Sequence, residues 1–145
     1  MTLKDWANNH WLTGHQTTAE EIQNLLLVSD RDIRDCRAEG LSPDWQMNIA
    51  YNAALQAATA ALAACGYRAG REAHHYRVIQ SLAFTVGIEK NLILQFDQFR
   101  KKRNIGGYEQ AGLVSKKEAE EMFQLAVELR NRVQIWLRIN YPELL

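Results

Sequence analysis

The sequence predicts an all-α protein, an up-and-down four-helix bundle with one or two extra short helices. Apolar residues recur at helical spacing along most of the chain, whereas β-branched residues do not alternate with polar ones. Only two prolines occur, Pro43 and Pro142, and both stand at predicted helix boundaries. With 145 residues, of which 47% are hydrophobic and 23% charged, the chain has the length and composition of one globular domain.

We divide the chain into an N-terminal segment, residues 1–16, and a helical bundle, residues 17–145. Within the first segment, residues 3–12 are expected to form a short helix that carries two tryptophans. The bundle begins at Thr18-Ala19-Glu20-Glu21, which fits a capping box, and this helix is expected to end at Gly40.

The next predicted helix begins at Ser42-Pro43, with serine as the cap and proline in the first turn. Nine of the fifteen residues over 50–64 are alanine, which lets a neighbouring helix approach closely. Gly66 should end this helix, and residues 66–70 are expected to form a turn.

The second half of the chain is predicted to contain three further helices. Residues 71–85 and 88–103 show helical spacing, and residues 104–114, which contain three glycines, are expected to form a loop. A second capping box, Ser115-Lys116-Lys117-Glu118, begins a long last helix that ends before Pro142.

Several classes of protein are disfavoured by composition. The N-terminus lacks the pattern of a secretory signal and no stretch is apolar enough to span a bilayer, so we expect a cytoplasmic protein without a membrane partner. Lys plus Arg equals Asp plus Glu, at 17 each, which argues against coating the whole surface with nucleic acid but permits a local basic patch. The four histidines lack ligand spacing, so neither a metal nor a cofactor is expected.

The densest positive run is Arg100-Lys101-Lys102-Arg103, a candidate phosphate-binding or nucleic-acid-binding segment. The simpler interpretation is a solvated helix end, where cations also complement the helix dipole. Arg103 differs from its neighbours because it follows Phe96 by seven residues and therefore returns to within about 20° of the same azimuth. It should continue the apolar stripe and therefore need a partner, an interface or a pocket.

Asn104 follows Arg103 directly and Tyr108 comes four residues later, and the two glycines between them should let the tyrosine fold back towards the guanidinium. A planar cation, an amide and a phenol together suit a phosphate and a stacked base. The same set also suits a buried structural ion-pair network, and the pattern alone leaves both open.

Over roughly residues 18–141 the chain resembles the HEPN superfamily (higher eukaryote and prokaryote nucleotide-binding domain), small helical bundles that include RNA-cleaving toxins. The resemblance lies in four motifs: the alanine-rich helix over residues 50–58, Cys65-Gly66-Tyr67-Arg68, the pair His74-His75, and the segment 99–108, which contains Arg103-Asn104. The resemblance implies a helical bundle that forms a homodimer.

In active members of that superfamily an arginine is followed four to six residues later by histidine, and metal-independent cleavage occurs where two sites meet across the dimer. By resemblance Arg103 and Asn104 match, and Tyr108 stands where the histidine is expected. Because tyrosine has a pKa near 10 and histidine near 6.5, this divergent member lacks the obvious base. His74 and His75 are the secondary candidates for proton transfer.

Two functions follow. The first is a HEPN-like dimeric module that binds RNA, a nucleotide or a partner protein such as a nucleotidyltransferase, without strong catalytic activity. The alternative is a metal-independent endoribonuclease, of the kind found in toxin–antitoxin systems, that uses Arg103 at the dimer interface.

Overall fold

Four long helices, two short ones and a two-stranded ribbon make up the part of the chain that the structure describes. The structure is a computed structural model that describes residues 1–109 and 112–145, with the backbone alone for residues 104–109. The elements in chain order are α1 (Leu3–Asn8), β1 (Leu12–Gly14), α2 (Ala19–Asp35), α3 (Pro43–Ala64), β2 (Tyr67–Ala69), α4 (His74–Ser81), α5 (Lys90–Glu109), α6 (Lys116–Asn140) and a 3-10 turn at Pro142–Leu144. The predicted all-α helical bundle is confirmed.

The direction of α2 relative to α6 follows from two ion pairs. Asp30 lies 2.6 Å from Arg130. Arg37, two residues past the end of α2, lies 3.0 Å from Glu120. Residue numbers increase along α2 from the first pair to the second, whereas they decrease along α6. The two helices are therefore antiparallel.

The α3 helix runs parallel to α6 through the middle of the bundle. Asp44 in its first turn contacts the backbone of Gly112, before α6, whereas Cys65 at its end lies 3.9 Å from the Tyr141 hydroxyl, after α6. Because α2 is antiparallel to α6, it is antiparallel to α3 as well.

The α5 helix completes the alternation. Glu89, next to its first residue, pairs with Arg132, and Lys102 near its end pairs with Glu118 at the start of α6. Successive long helices therefore run up and down in turn.

Alanine makes α3 the central helix. All nine alanines over residues 50–64 are buried. Ala57 and Ala61 pack with Ile22 of α2 and Val133 of α6, so the small side chains face helices on two sides. A helix that is apolar around most of its circumference belongs in the interior.

The first helix is shorter than predicted, since α1 ends at Asn8 and leaves Trp11 outside it. His10 adopts a φ of 63°, a left-handed conformation that cannot continue a helix. Trp6 is buried, with its ring 5.2 Å from that of Phe84, and the Arg77 guanidinium lies 3.8 Å from the Trp11 ring centre. The N-terminal segment thus packs against α4 and the turn after it.

The prediction of a turn over residues 66–70 was wrong, because Tyr67–Ala69 forms strand β2. It pairs antiparallel with β1, Leu12 opposite Ala69 and Gly14 opposite Tyr67. Strands of three residues are too short to show alternation, and the partner lies far away in the sequence.

The start of α2 and its cap, Thr18, were predicted correctly, but the reciprocal contact of the capping box is missing and the helix ends earlier than predicted. The Thr18 hydroxyl accepts a hydrogen bond from the Glu21 backbone N–H, whereas the Glu21 carboxylate bonds Thr17 and His15, both at 2.7 Å. The helix ends at Asp35 rather than near Gly40.

The loop predicted over residues 104–114 was wrong for its first part, because α5 continues to Glu109. Each glycine costs about 1 kcal/mol in a helix, but an existing helix gains a hydrogen bond with every residue it adds. After the undescribed residues 110–111, Asp44 accepts hydrogen bonds from the N–H groups of Gly112 and Val114, at 2.8 and 3.2 Å. The capping box of Ser115 and Glu118 then begins α6 as predicted.

Within residues 1–109 and 112–145, no helix combines the length and the apolar character needed to cross a membrane.

Candidate functional site

Arg103 lies on α5, half-buried, with its guanidinium carbon 5.3 Å from the centre of the Tyr51 ring on α3. The helical register predicts that Arg103 lies on the apolar side of α5. Its contact with the Tyr51 ring is the interaction that the guanidinium makes there. A cation above an aromatic face is stabilised by the ring's negative surface.

Tyr51 connects Arg103 to α4. Its ring packs edge-on against Phe96, and its hydroxyl lies 3.1 Å from Nδ1 of His75. Burial raises the pKa of Tyr51, and the nearby charges of Arg103 and Arg100 only partly oppose this. The phenol therefore stays protonated and serves as a hydrogen-bonding group.

His75 is half-buried, and its pKa is lowered, first by burial and then by the charges of Arg103, His74 and Arg100. It is therefore neutral at neutral pH. If the Tyr51 hydroxyl accepts the proton on Nδ1, the other ring nitrogen is left as a proton acceptor. Of the two secondary candidates, His75 is the one that the fold brings towards Arg103.

His74 faces a different part of the molecule. Its Nδ1 lies 3.2 Å from the carbonyl oxygens of both Ala69 and Gly70, so it binds the end of the ribbon. The two imidazole rings have different hydrogen-bond partners, although their centres lie 5.9 Å apart.

The rest of the basic run is engaged by carboxylates. Arg100 lies 2.7 Å from Asp97, whose hydrogen bond raises the pKa of the Arg100 guanidinium, and Lys101 lies 3.7 Å from the same carboxylate. Lys102 pairs with Glu118. The structure therefore does not gather the four predicted phosphate-binding residues into one patch.

Arg103 instead opens onto a cleft between α2, α3 and α5 with a volume of about 320 Å³. The cleft is lined by Arg31, Asp32, Trp45, Asn48, Ile49, Asn52 and Arg103. Its α3 wall, from Trp45 to Asn52, covers seven residue steps and so runs about 10 Å along the helix. This is the scale of one nucleotide rather than of a long polymer.

Trp45 is the cleft's most unusual feature, because its side chain is 61% exposed. A tryptophan seldom leaves so much apolar surface in water without a partner, and an exposed ring beside cations is a stacking surface for a base. In the same cleft, Asp32 is buried and its carboxylate accepts a hydrogen bond from the Asn52 amide at 2.7 Å.

Sequence reasoning missed the cleft's α2 and α3 residues. A signal existed in α3, where two polar residues, Asn48 and Asn52, share one helix face with Trp45 and Ile49. Without the position of α5, however, nothing in the sequence connects that face to Arg103.

The side chains of two predicted site residues, Asn104 and Tyr108, lie outside the described part of the structure. Their backbone belongs to the last turns of α5. Their assigned roles remain predictions.

Among the described residues, no group of three or more His, Cys, Asp or Glu side chains is arranged to hold a metal ion.

Comparisons of the chain with protein-family models, with curated proteins and with solved structures gave no match. The resemblance to the HEPN superfamily therefore rests on the sequence motifs alone and stays a prediction.

Proposed function

We propose that this protein is a HEPN-like, cytoplasmic module that binds single-stranded RNA or a nucleotide in the cleft between α2, α3 and α5. The observation that supports this most is the joint presence, in one cleft, of the exposed Trp45 ring and the Arg103 guanidinium. A base stacks on an aromatic ring, and a guanidinium binds phosphate with two parallel hydrogen bonds.

Binding is measured by the fluorescence anisotropy of a labelled single-stranded RNA. Arg103→Ala and Trp45→Ala should each weaken binding by about tenfold, since a base–aromatic stack contributes about 1–3 kcal/mol. Loss of Arg103 should also reduce the dependence of affinity on salt, because one phosphate contact fewer releases one counterion fewer.

Two matched variants control for general effects of charge and apolar surface. Lys90→Ala removes a cation from the other end of α5, and Leu94→Ala removes an exposed apolar side chain outside the cleft. Neither should change affinity measurably. RNA binding weaker than about 100 µM, the weak end of non-specific binding, would refute the proposal.

A homodimer forms part of the proposal. Exposed apolar side chains on the long helices, Leu27, Ile135 and Ile139, supply surface that a second copy could cover. Light scattering should give twice the chain mass of 16.6 kDa. A mass near that of one chain at micromolar concentration would refute the dimer, but it would not bear on RNA binding in the cleft.

The second candidate function is metal-independent RNA cleavage, and the position of His75 favours it. Arg103 and His75 both contact Tyr51, so a phosphate-binding cation and a neutral imidazole lie against the same side chain. A neutral imidazole is suited to accept a proton from a ribose hydroxyl.

Cleavage is tested by incubating labelled single-stranded RNA with the protein in EDTA. If the enzyme hypothesis is correct, His75→Ala and Arg103→Ala should each abolish product, whereas His74→Ala should leave most activity. RNA that stays intact while it binds would rule out cleavage of those substrates and favour the binding module.

A further inference from the structure

The buried carboxylate of Asp32 limits which ligands the cleft accepts. Its side chain belongs to α2 and lines the cleft, and the residue is only 6% exposed. One carboxylate oxygen lies 2.7 Å from the Asn52 amide, and the other lies 3.1 Å from Nε of Arg31. These contacts fix the carboxylate in place.

An ionised carboxylate offers about four acceptor positions, and these two contacts occupy two of them. A ligand that approaches Asp32 must therefore bring N–H or O–H donors. A carbonyl or phosphate oxygen placed at the remaining positions would face lone pairs of the carboxylate with no hydrogen-bond donor between them. The phosphate of a nucleotide should instead lie towards Arg103.

The four RNA bases differ in the donors on their Watson–Crick edges. Guanine presents a ring N–H and an amino group side by side, which match the two oxygens of one carboxylate. Adenine and cytosine each place an acceptor nitrogen beside their amino group, and uracil flanks its N–H with two carbonyls. Only guanine avoids an acceptor facing the carboxylate.

We infer that this cleft selects guanine, with Asp32 reading its Watson–Crick edge, Trp45 stacking on the ring and Arg103 holding the phosphate. The inference rests on the proposed function, because it assumes that a nucleotide binds in this cleft. It adds a base specificity and a specificity-determining residue.

The test is a competition experiment in which GMP, AMP, CMP and UMP displace a labelled single-stranded RNA. GMP should compete about tenfold more strongly than the other three, as expected for one bidentate contact to a base. IMP, which keeps the ring N–H of guanine but lacks its amino group, should fall between GMP and AMP.

The variant Asp32→Asn places a donor where guanine also donates, so it should lower GMP affinity to within about twofold of the other nucleotides. Asp35→Asn makes the same change at an exposed position of the same helix and should preserve the preference for GMP. Circular dichroism shows whether both variants fold.

The outcomes separate the two proposals. If none of the nucleotides competes and the RNA itself does not bind, the proposed function fails and the base preference with it. If all four nucleotides compete equally, the cleft binds nucleotides but the guanine preference is wrong. Equal competition by IMP and GMP would also overturn the two-donor contact, whether or not Asp32→Asn folds.

Discussion

The hydroxyl of Tyr51 lies 3.1 Å from Nδ1 of His75, and this contact joins the central helix α3 to the short helix α4. The same tyrosine carries the Arg103 guanidinium 5.3 Å from its ring centre. One buried aromatic side chain thus contacts both a cation and an imidazole. The effect of the Arg103 charge can therefore be measured through the pKa of His75.

We predict that Arg103→Ala raises the pKa of His75. The Arg103 charge disfavours the imidazolium, so its removal favours protonation. The pKa should stay below the ordinary value near 6.5, because burial is the largest cause of the shift and is retained. NMR titration of the His75 ring protons measures this, with Lys90→Ala as the control. An unchanged or lower pKa would contradict the arrangement described.

A second prediction concerns the alanine-rich helix α3. Ala61→Leu should destabilise the protein by about 1–3 kcal/mol, since the position is fully buried and packs with α2 and α6. Ala38→Leu makes the same change at an exposed position and should have little effect. Urea unfolding followed by circular dichroism compares the two. Equal stability of both variants would mean that α3 is not tightly packed there.

A third prediction gives stability a pH dependence at the start of α2. Hydrogen bonds from Thr17 and then His15 lower the pKa of Glu21. A carboxyl whose pKa is lower in the folded state stabilises the protein at pH values above its pKa in the unfolded chain. That stability is lost as the pH falls through the pKa of the folded state. Because Glu21 is substantially exposed, the effect should stay below about 1 kcal/mol.

The measurement compares wild type and Glu21→Gln by urea unfolding at several pH values. The variant should be less stable at neutral pH, and the two should converge at acidic pH, where the wild-type carboxyl is protonated. Glu20→Gln, one residue earlier on the same helix, should show a smaller difference. A gap that widens as the pH falls would reverse the sign of the linkage.

The fourth prediction concerns the connection between α5 and α6. Asp44→Ala should remove two hydrogen bonds to the N–H groups of Gly112 and Val114, at a cost of about 1–3 kcal/mol. Hydrogen exchange at these two amides should accelerate, whereas exchange within α3 should change little. Asp35→Ala is the exposed control. Unaltered exchange at Gly112 would show that Asp44 does not hold this segment.

Local signals in the sequence predicted most of the bundle. The caps at Ser42 and Ser115 start α3 and α6 where the motifs placed them, because capping depends on residues within one turn. The spacing of Phe96 and Arg103 likewise predicted on which side of α5 the arginine lies, since azimuth depends on the helix alone.

What the sequence did not predict depends on contacts between distant segments. The β1–β2 ribbon pairs residues that are far apart, and neither strand has a pattern of its own. The cleft joins Trp45 and Asp32 to Arg103 only because α5 packs beside α3. Glycines 106 and 107 suggested a loop, but propagation of an existing helix outweighed their weak propensity.

The ribbon also bears on synthesis. Leu12–Gly14 is translated before Tyr67–Ala69, with which it pairs, so it has no partner until the two long helices between them have been made. Trp6, on the first helix, packs against Phe84, which is made later still. Chains are made in the N-to-C direction, so residues 1–14 must wait for the middle of this sequence to be made before they can dock. Until then Trp6 and Trp11 lack the contacts with Phe84 and Arg77 that they make in the folded protein.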